Sequence, residues 1–404
     1  MTSKPPHPMD DESIVDPLQC PPLRWGLIGC GRVSHDFTQA LKHLPSASVV
    51  ACSARDENRA KEFADKHGIS KAYGDYERLI ADKDVDIIYV GNLHAFRRSV
   101  GERCLKANKH VLLEKPFACT ALDASYLIGL AKERNLFLME GMWTRFFPAF
   151  EQARRIAFGS NEGESILGEV VSVFSDFNFN ASDSEIYPSS FVYNRKLGGG
   201  ASLLTGPYPI AAATAFFPAS TPDNIKVVGQ VDELTEVDLQ AAVALSFPPN
   251  GTHSPALEGS IDSSTAECTP KLPGSGVATL SYGMLGESVE ETTVVGTKGR
   301  LTIKTPGHCP TKLIVSLKST GRAAASQTIE FDFPLPKDTD DIKTAGGFVY
   351  PNSAGFCYEA AAVARCIASG KTEAPQYTLA ETMLEMEILD EVRKQLETKA
   401  VDEE

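Results

Sequence analysis

Several chemistries are missing from this 404-residue sequence. Its nine cysteines (Cys20, Cys30, Cys52, Cys104, Cys119, Cys268, Cys309, Cys357 and Cys366) contain no C-x-x-C pair and make an odd total. That excludes a zinc knuckle and a disulfide framework, and it suits a reducing, cytoplasmic setting. The eight histidines are scattered with no H-x-x-x-H spacing, so no metal site is expected. Basic residues are in deficit: 39 Lys and Arg stand against 53 Asp and Glu, for a net charge of −14. With no basic patch interleaved with aromatics, nucleic acid and anionic membrane surfaces are excluded as partners. The longest apolar runs are strand-sized, well short of the roughly 20 residues a bilayer span requires. A soluble protein that handles a small molecule remains.

The length is more than one core usually fills, so two domains and some disorder are expected. Residues 1–22 hold six prolines and the Asp10-Asp11-Glu12 cluster without an apolar stretch, and read as a disordered tail rather than a signal or transit peptide. From Leu23, short apolar runs (Leu23–Ile28, Val49–Ala54, Val85–Gly91, His110–Glu114, Leu136–Glu140) alternate with amphipathic segments such as Asn58–His67 and Arg97–Asn108. This is the pattern of parallel strands joined by helices. After Pro148 and one more helix the period becomes two, from Glu169–Asn178 through Thr328–Phe333, with hairpin punctuation at Gly296-Thr297-Lys298-Gly299. Residues 249–276, rich in Ser, Thr, Pro and Gly, read as a surface insertion. Helices close the chain at Tyr358–Ser369 and Leu379–Leu396. The fold class is therefore α/β: a doubly wound parallel sheet over 23–145, then an α+β domain with a large, mainly antiparallel open sheet over 146–398.

Gly29-Cys30-Gly31-Arg32-Val33-Ser34 follows the first apolar strand and opens a helix. The first glycine permits a tight turn, the second lets backbone N–H groups approach a pyrophosphate, and the helix start supplies a positive dipole end. Ser34 takes the third glycine position. At the end of the second strand, where a carboxylate would hold the ribose of NAD, stand Ser53 and then Arg55, with Arg59 a turn later. Two guanidiniums match the 2′-phosphate of NADP; alternatively they pair with Asp56 and Glu57 at an ordinary helix start. The strand His110–Glu114 ends in Glu114-Lys115-Pro116, which puts an ammonium at the carboxyl edge of the sheet, either for chemistry or as a solvated ion pair. Trp143, in Met142-Trp143-Thr144-Arg145-Phe146-Phe147-Pro148, falls at the crevice between domains, as a ligand contact or as junction packing. Gly198-Gly199-Gly200 leads through Leu204 to Tyr208. Beside a lysine ammonium that tyrosine would have a lowered pKa; alone it reads as buried and structural.

These motifs, with Ala54-Arg55-Asp56, Arg59-Ala60-Lys61-Glu62-Phe63, Phe137-Leu138-Met139-Glu140 and Gly206-x-Tyr208-Pro209, resemble the glucose-fructose oxidoreductase, inositol dehydrogenase and rhizopine-catabolism (Gfo/Idh/MocA) family of NAD(P)-dependent oxidoreductases. Within it the chain looks most like the dimeric dihydrodiol dehydrogenases and the NADP-dependent D-xylose dehydrogenases. The resemblance covers about residues 23 to 398. It implies a cytoplasmic homodimer, packed through the open face of the second sheet, that uses NADP on a pentose or a trans-dihydrodiol. Period-two residues on both faces of one strand (Val171, Val173 and Phe177 against Val170 and Phe174) agree with that packing. By resemblance Lys115 is the active-site lysine and Tyr208 the catalytic acid/base. Gly29, Gly31, Arg32, Val33, Ser34, Arg55, Arg59, Asn92, His94, Glu114 and Lys115 make the cofactor site, and Trp143, Arg145 and position 204 meet the substrate. Two positions depart from the pattern: Leu204 stands where the subgroup has an Asp, and Arg97 where the family commonly has a His after the fourth strand. The first favours weak turnover on a pentose, or a regulator that keeps the nucleotide site and has lost catalysis.

Overall fold

A computed structural model of the chain describes residues 16–159, 165–182, 186–248, 275–318 and 327–402, with side chains to Leu396; residues 1–15 of the expected tail and most of the expected insertion lie outside them. The first six strands, β1 (Leu23–Ile28), β2 (Ala47–Ser53), β3 (Lys71–Tyr73), β4 (Ile87–Val90), β5 (His110–Glu114) and β6 (Leu138–Gly141), form one parallel sheet in the order β3-β2-β1-β4-β5-β6. The order reverses between β1 and β4, which opens a crevice at their carboxyl ends. Helices α1 (Arg32–Leu41), α2 (Glu57–His67), α3 (Tyr76–Ile80), α4 (His94–Lys106) and α5 (Ala121–Arg134) complete the crossovers. Local chemistry sets their ends: the Asp56 carboxylate accepts from Asn58 N at 2.9 Å and starts α2, and Gly68, at φ +69°, stops it.

After α6 (Pro148–Phe158) comes an eight-stranded sheet. Its strands are β7 (Val170–Asn178), β8 (Asn224–Val231), β9 (Asp238–Phe247), β10 (Gly276–Gly283), β11 (Thr292–Gly296), β12 (Gly299–Ile303), β13 (Lys312–Leu317) and β14 (Gln327–Asp332), in the order β14-β13-β12-β11-β7-β10-β9-β8. Only β7 and β10 run parallel; the other neighbours are antiparallel. Two short helices, α7 (Ala201–Leu204) and α8 (Pro207–Phe216), lie between β7 and β8. The expected facing of β7 is corrected at its start. The register between β7 and β11 slips at Val295/Gly296, so Val170 turns inward with Val173 while Val171 faces out beside Phe174. On this outer face Val171, Phe174, Val228 and Val277 are exposed.

Three helices end the chain: α9 (Asp340–Thr344), α10 (Phe356–Ala368) and α11 (Leu379–Asp402). Among the described residues none of the molecule's helices is long and apolar enough to cross a membrane. The stretch from α9 to α10 returns to the first domain. Asp36 on α1 accepts the amides of Val349 and Tyr350, each at 2.8 Å, and Gln39 Nε2 donates to the carbonyls of Ile342 at 2.8 Å and Gly347 at 3.0 Å. Helix α11 spans both domains: Asp390 Oδ2 accepts from Ala121 N at the start of α5 (2.8 Å), and Gln395 Nε2 donates to the Ile225 carbonyl of β8 (2.9 Å). Residues 16–22 are not loose as expected, because Arg365 on α10 donates to the carbonyls of Pro17 and Gln19 at 3.2 and 2.6 Å.

Candidate functional site

The carboxyl edge of the parallel sheet gathers most of the residues singled out in the sequence. Gly29 takes φ +96°, and a Cβ there would come within 3.0 Å of Asn92 N, so only glycine fits the turn. Gly31, at the α1 N-terminus, has open space where a Cβ would point. Ser34 packs against Gly91, and its Oγ is buried without a partner among the described residues; so are Oδ1 and Nδ2 of Asn92. A helix N-terminus with an open cradle and three unsatisfied buried polar atoms fits a dinucleotide phosphate and its ribose. Val33 is half-buried, and Arg32 is exposed, close enough to Tyr350 of the returning segment for its charge to act on that phenol.

At the end of β2 the Ser53 hydroxyl is turned away from the crevice, donating to the Asp75 carbonyl at 2.8 Å. Arg55 and Arg59 are both exposed. Asp56 is occupied as the α2 cap and Glu57 pairs with Lys61 at 2.8 Å, so neither guanidinium has a carboxylate partner among the described residues. Arg55 lies over the Phe96 ring at 5.7 Å.

Arg97, in the place of the family's usual histidine, is buried and ties the loops together. Its Nε donates to the Asn92 carbonyl at 3.1 Å, and its Nη1 donates to the carbonyls of Glu114 (2.7 Å) and Pro116. Burial and the neighbouring Arg97 and Lys115 push the His94 imidazole down to about 3, so it is neutral. His94 packs against Gly198, where a Cβ would come within 2.5 Å of the ring and φ is +78°. The Glu114 carboxyl, raised by burial, accepts from the Tyr89 hydroxyl at 2.8 Å and from Lys115 N at 3.1 Å. Lys115 is half-buried; its Nζ donates to the Leu204 carbonyl at 2.8 Å and stands 4.4 Å from the centre of the Tyr208 ring. Burial pulls its ammonium down to about 8.

Tyr208, near the start of α8, accepts a hydrogen bond from Trp143 Nε1 at 3.1 Å. One expectation is corrected: burial, then the Glu114 charge, hold this phenol well above the ordinary tyrosine range. The lysine lies over the ring face rather than at the oxygen, and does not overcome desolvation. Trp143 itself stacks on Phe356 at 4.2 Å. The structure does not bring Arg145 to the cleft. Its guanidinium is fully enclosed, paired with Glu381 at 2.6 Å and donating to the Ala211 carbonyl at 3.0 Å, over the ring of Tyr377. Leu204 enters through its carbonyl, which any side chain would leave in place.

Two further groups escaped the sequence reading. His308, in the loop between β12 and β13, stacks on Phe177 (4.5 Å) with its ring 5.2 Å from Tyr208, and its Nδ1 meets Glu290 Oε2 at 3.2 Å. No local pattern marks it, because its partners are brought in by β7, α8 and the β10–β11 connection. Beneath the lysine lie the buried carboxyls of Glu140, raised by burial to about 7, and Glu385, raised well above its usual range. Glu140 ends an apolar run in the sequence, whereas Glu385 stands among the other carboxylates of α11 and carries no such mark.

Comparison with known proteins places this arrangement. The family model described as "Oxidoreductase family, NAD-binding Rossmann fold" matches residues 23–142. A trans-1,2-dihydrobenzene-1,2-diol dehydrogenase from Sus scrofa is 36% identical over 374 residues, 92% of this chain and 96% of that protein. Among solved structures, a 3-ketoreductase from Actinomadura kijaniata in complex with NADP superposes with a TM-score of 0.68 at 24% identity, covering 92% of this chain and 97% of that one. A levoglucosan dehydrogenase in complex with NADH and levoglucosan gives 0.73 at 16% identity, covering 93% and 97%. These two likenesses establish the fold alone. With more than a third of its residues identical to the dihydrodiol dehydrogenase along nearly its whole length, the chain belongs to the Gfo/Idh/MocA family of NAD(P)-dependent oxidoreductases.

Proposed function

We propose that the protein is an NADP-dependent dehydrogenase acting on the CH–OH group of a trans-dihydrodiol, with an aldopentose as the poorer substrate. The observation that carries this reading is the Lys115–Tyr208–Trp143 cluster: a phenol fixed by an indole N–H, an ammonium over its ring, and aromatic walls from Phe177 and His308. The Phe177, Tyr208 and His308 rings offer apolar faces, which suit a ring diol better than a sugar with many hydroxyls, since each unpaired hydroxyl costs roughly 1–3 kcal/mol. Bound NADP supplies the hydride acceptor, and NADPH the donor. Tyr208 is protonated at neutral pH, and with its oxygen engaged by Trp143 its O–H is left to donate to a substrate carbonyl oxygen during reduction. The Lys115 ammonium over the ring then stabilises the phenolate. In the oxidative direction the same path runs in reverse: the Tyr208 proton passes to the Lys115 amine, neutral above about pH 8, and the phenolate so formed takes the proton that leaves the hydroxyl.

Preference for NADP over NAD is supported by the two unpaired guanidiniums of Arg55 and Arg59 and the absence of a carboxylate at Ser53. The exposed valines and Phe174 on the outer face of the large sheet support a homodimer through that face. The regulator reading rested on Leu204, yet the lysine is held by the backbone there. The test is NADP reduction across trans-dihydrodiols, pentoses and hexoses, with NAD in parallel. Turnover highest on a diol with NADP is expected; no turnover on any of them would overturn the proposal.

A further inference from the structure

Helix α6 carries a polar stripe that faces a cleft away from the dinucleotide crevice. Glu151, Arg154, Arg155 and Phe158 recur on it at helical spacing, while Ala149, Phe150, Ala153 and Ile156 are buried on the other side. Opposite the stripe stand Pro375 and Gln376, in the turn between α10 and α11. Ala374 and Tyr377, which flank them, are buried and pair with each other as an isolated bridge. The amide of Leu138 on β6 donates to the Thr372 carbonyl at 3.0 Å, that of Leu379 to Glu373 Oε2 at 2.7 Å, and the Tyr377 hydroxyl to Glu385, so this wall is fixed before any ligand arrives. The cleft between the two walls holds about 390 Å³, within the usual range of small-molecule sites. Its polar atoms are poorly answered. Arg154 is half-buried, its Nε is enclosed without a hydrogen-bond partner, and among the described residues no carboxylate is paired with its guanidinium. Glu381 is held by Arg145 at 2.6 Å, and Glu151 reaches Arg155 only at 3.8 Å. Burial, and then the like charge of Arg145, work against the Arg154 cation. Gln376 Oε1 is likewise enclosed and unpartnered. Leaving a half-buried guanidinium unpaired costs stability, and a protein of net charge −14 has carboxylates to spare for it.

We propose that this cleft is a second ligand site, which binds a phosphate monoester carried on a flat ring. The phosphate meets Arg154 and Arg155, the ring lies against Phe158 and Pro375, and a hydroxyl or amine of the ligand donates to Gln376 Oε1. Two guanidiniums beside one carboxylate leave positive charge for a dianion, and their forked N–H groups match phosphate oxygens. Phe158, 42% exposed, and the exposed Pro375 supply the apolar contact. The inference does not depend on the dehydrogenase reading, since no residue of the cleft belongs to the cofactor crevice or to the Lys115–Tyr208 cluster.

The probe is 5′-AMP, titrated by calorimetry into the full chain with NADP in excess to fill the dinucleotide crevice, with adenosine and inorganic phosphate in parallel. AMP should bind about tenfold or more tighter than either fragment. Arg154→Met keeps the aliphatic stem and removes the charge, so it should weaken AMP by about tenfold or more. Without AMP this variant should melt no lower than wild type, and only wild type should melt higher when AMP is added. Phe158→Ala, at an exposed ring, should weaken AMP about fivefold and leave inorganic phosphate unchanged. Equal AMP affinity in wild type and Arg154→Met, phosphate bound as tightly as AMP, or no heat at about 5 mM AMP would each overturn the proposal. So would a marked loss of stability in ligand-free Arg154→Met, which would make the arginine structural. If NADP itself fails to bind, the cofactor reading falls, while the comparison of wild type with Arg154→Met still decides the cleft.

Discussion

In the first sheet β4 is buried along its whole length and β1 and β5 nearly so, whereas in the second β9 alternates, with Ala241, Val243, Leu245 and Phe247 inside and Ala242 and Ala244 outside. A sheet covered by helices on both sides has no face on which to meet a ligand, so only its carboxyl edge is available. That is where Gly29, Asn92 and Lys115 stand. The second sheet keeps a covered face, against which α8 sets Tyr208, and an open one with Phe174 at 49% exposure. The proposed chemistry thus falls at an edge and the proposed association on a face.

The sharpest test of that division contrasts an enclosed cation with one at the edge. Arg145→Ala strands the Glu381 carboxylate, and a loss of about 3 kcal/mol in folding stability is expected from denaturant unfolding. Little loss would mean that the pair is not structural. At the edge, Tyr208→Phe and Lys115→Met should each lower kcat by about 100-fold or more while NADPH affinity changes far less. Wild-type turnover in Tyr208→Phe would remove the edge from the chemistry. The double variant Arg55→Ala, Arg59→Ala should weaken NADP binding by about tenfold and leave NAD unchanged, as calorimetric titration of both cofactors would show. Phe174→Glu places a charge on the open face; sedimentation should then find a monomer where wild type is a dimer, and a monomeric wild type would refute the face assignment. The smallest effect is on pH. Diol oxidation should rise through about pH 8 and then level, as Lys115 loses its proton, and carbonyl reduction should fall over the same range.

How far the sequence foretold this molecule depends on how local the cause was. The glycine turn, the Glu-Lys-Pro strand end and the two arginines after β2 are short-range patterns and lie where expected. Strand β3 was missed because it is three residues long, and Lys71 within it is held by Asp82 and Asp84 rather than by apolar periodicity. The facing of Val170 and Val171 was misread because a bulge shifts the period by one, which no alternation rule anticipates. Arg145 shares a motif with Trp143, but the backbone turn between them sends one side chain to the cleft and the other into the core. His308 depends on three distant segments converging, and Arg97 could be seen as a departure but not as the clamp it is.

Helix α1 has one more consequence. Every residue from Ser34 to Leu41 is buried, not by the parallel sheet alone but also by chain more than 300 positions downstream: Asp36 holds the amides of Val349 and Tyr350, Gln39 the carbonyls of Ile342 and Gly347, and Phe37 meets Phe356 edge-on at 5.9 Å. The nucleotide-binding half is therefore not a portable module. Cut free after Arg145, it would expose one whole side of its first helix and leave the Asp36 carboxylate facing water without the amides it evolved to hold. The stretch from Ile342 to Phe356 finishes the first domain, so one side of its first helix stays open until that stretch has been made.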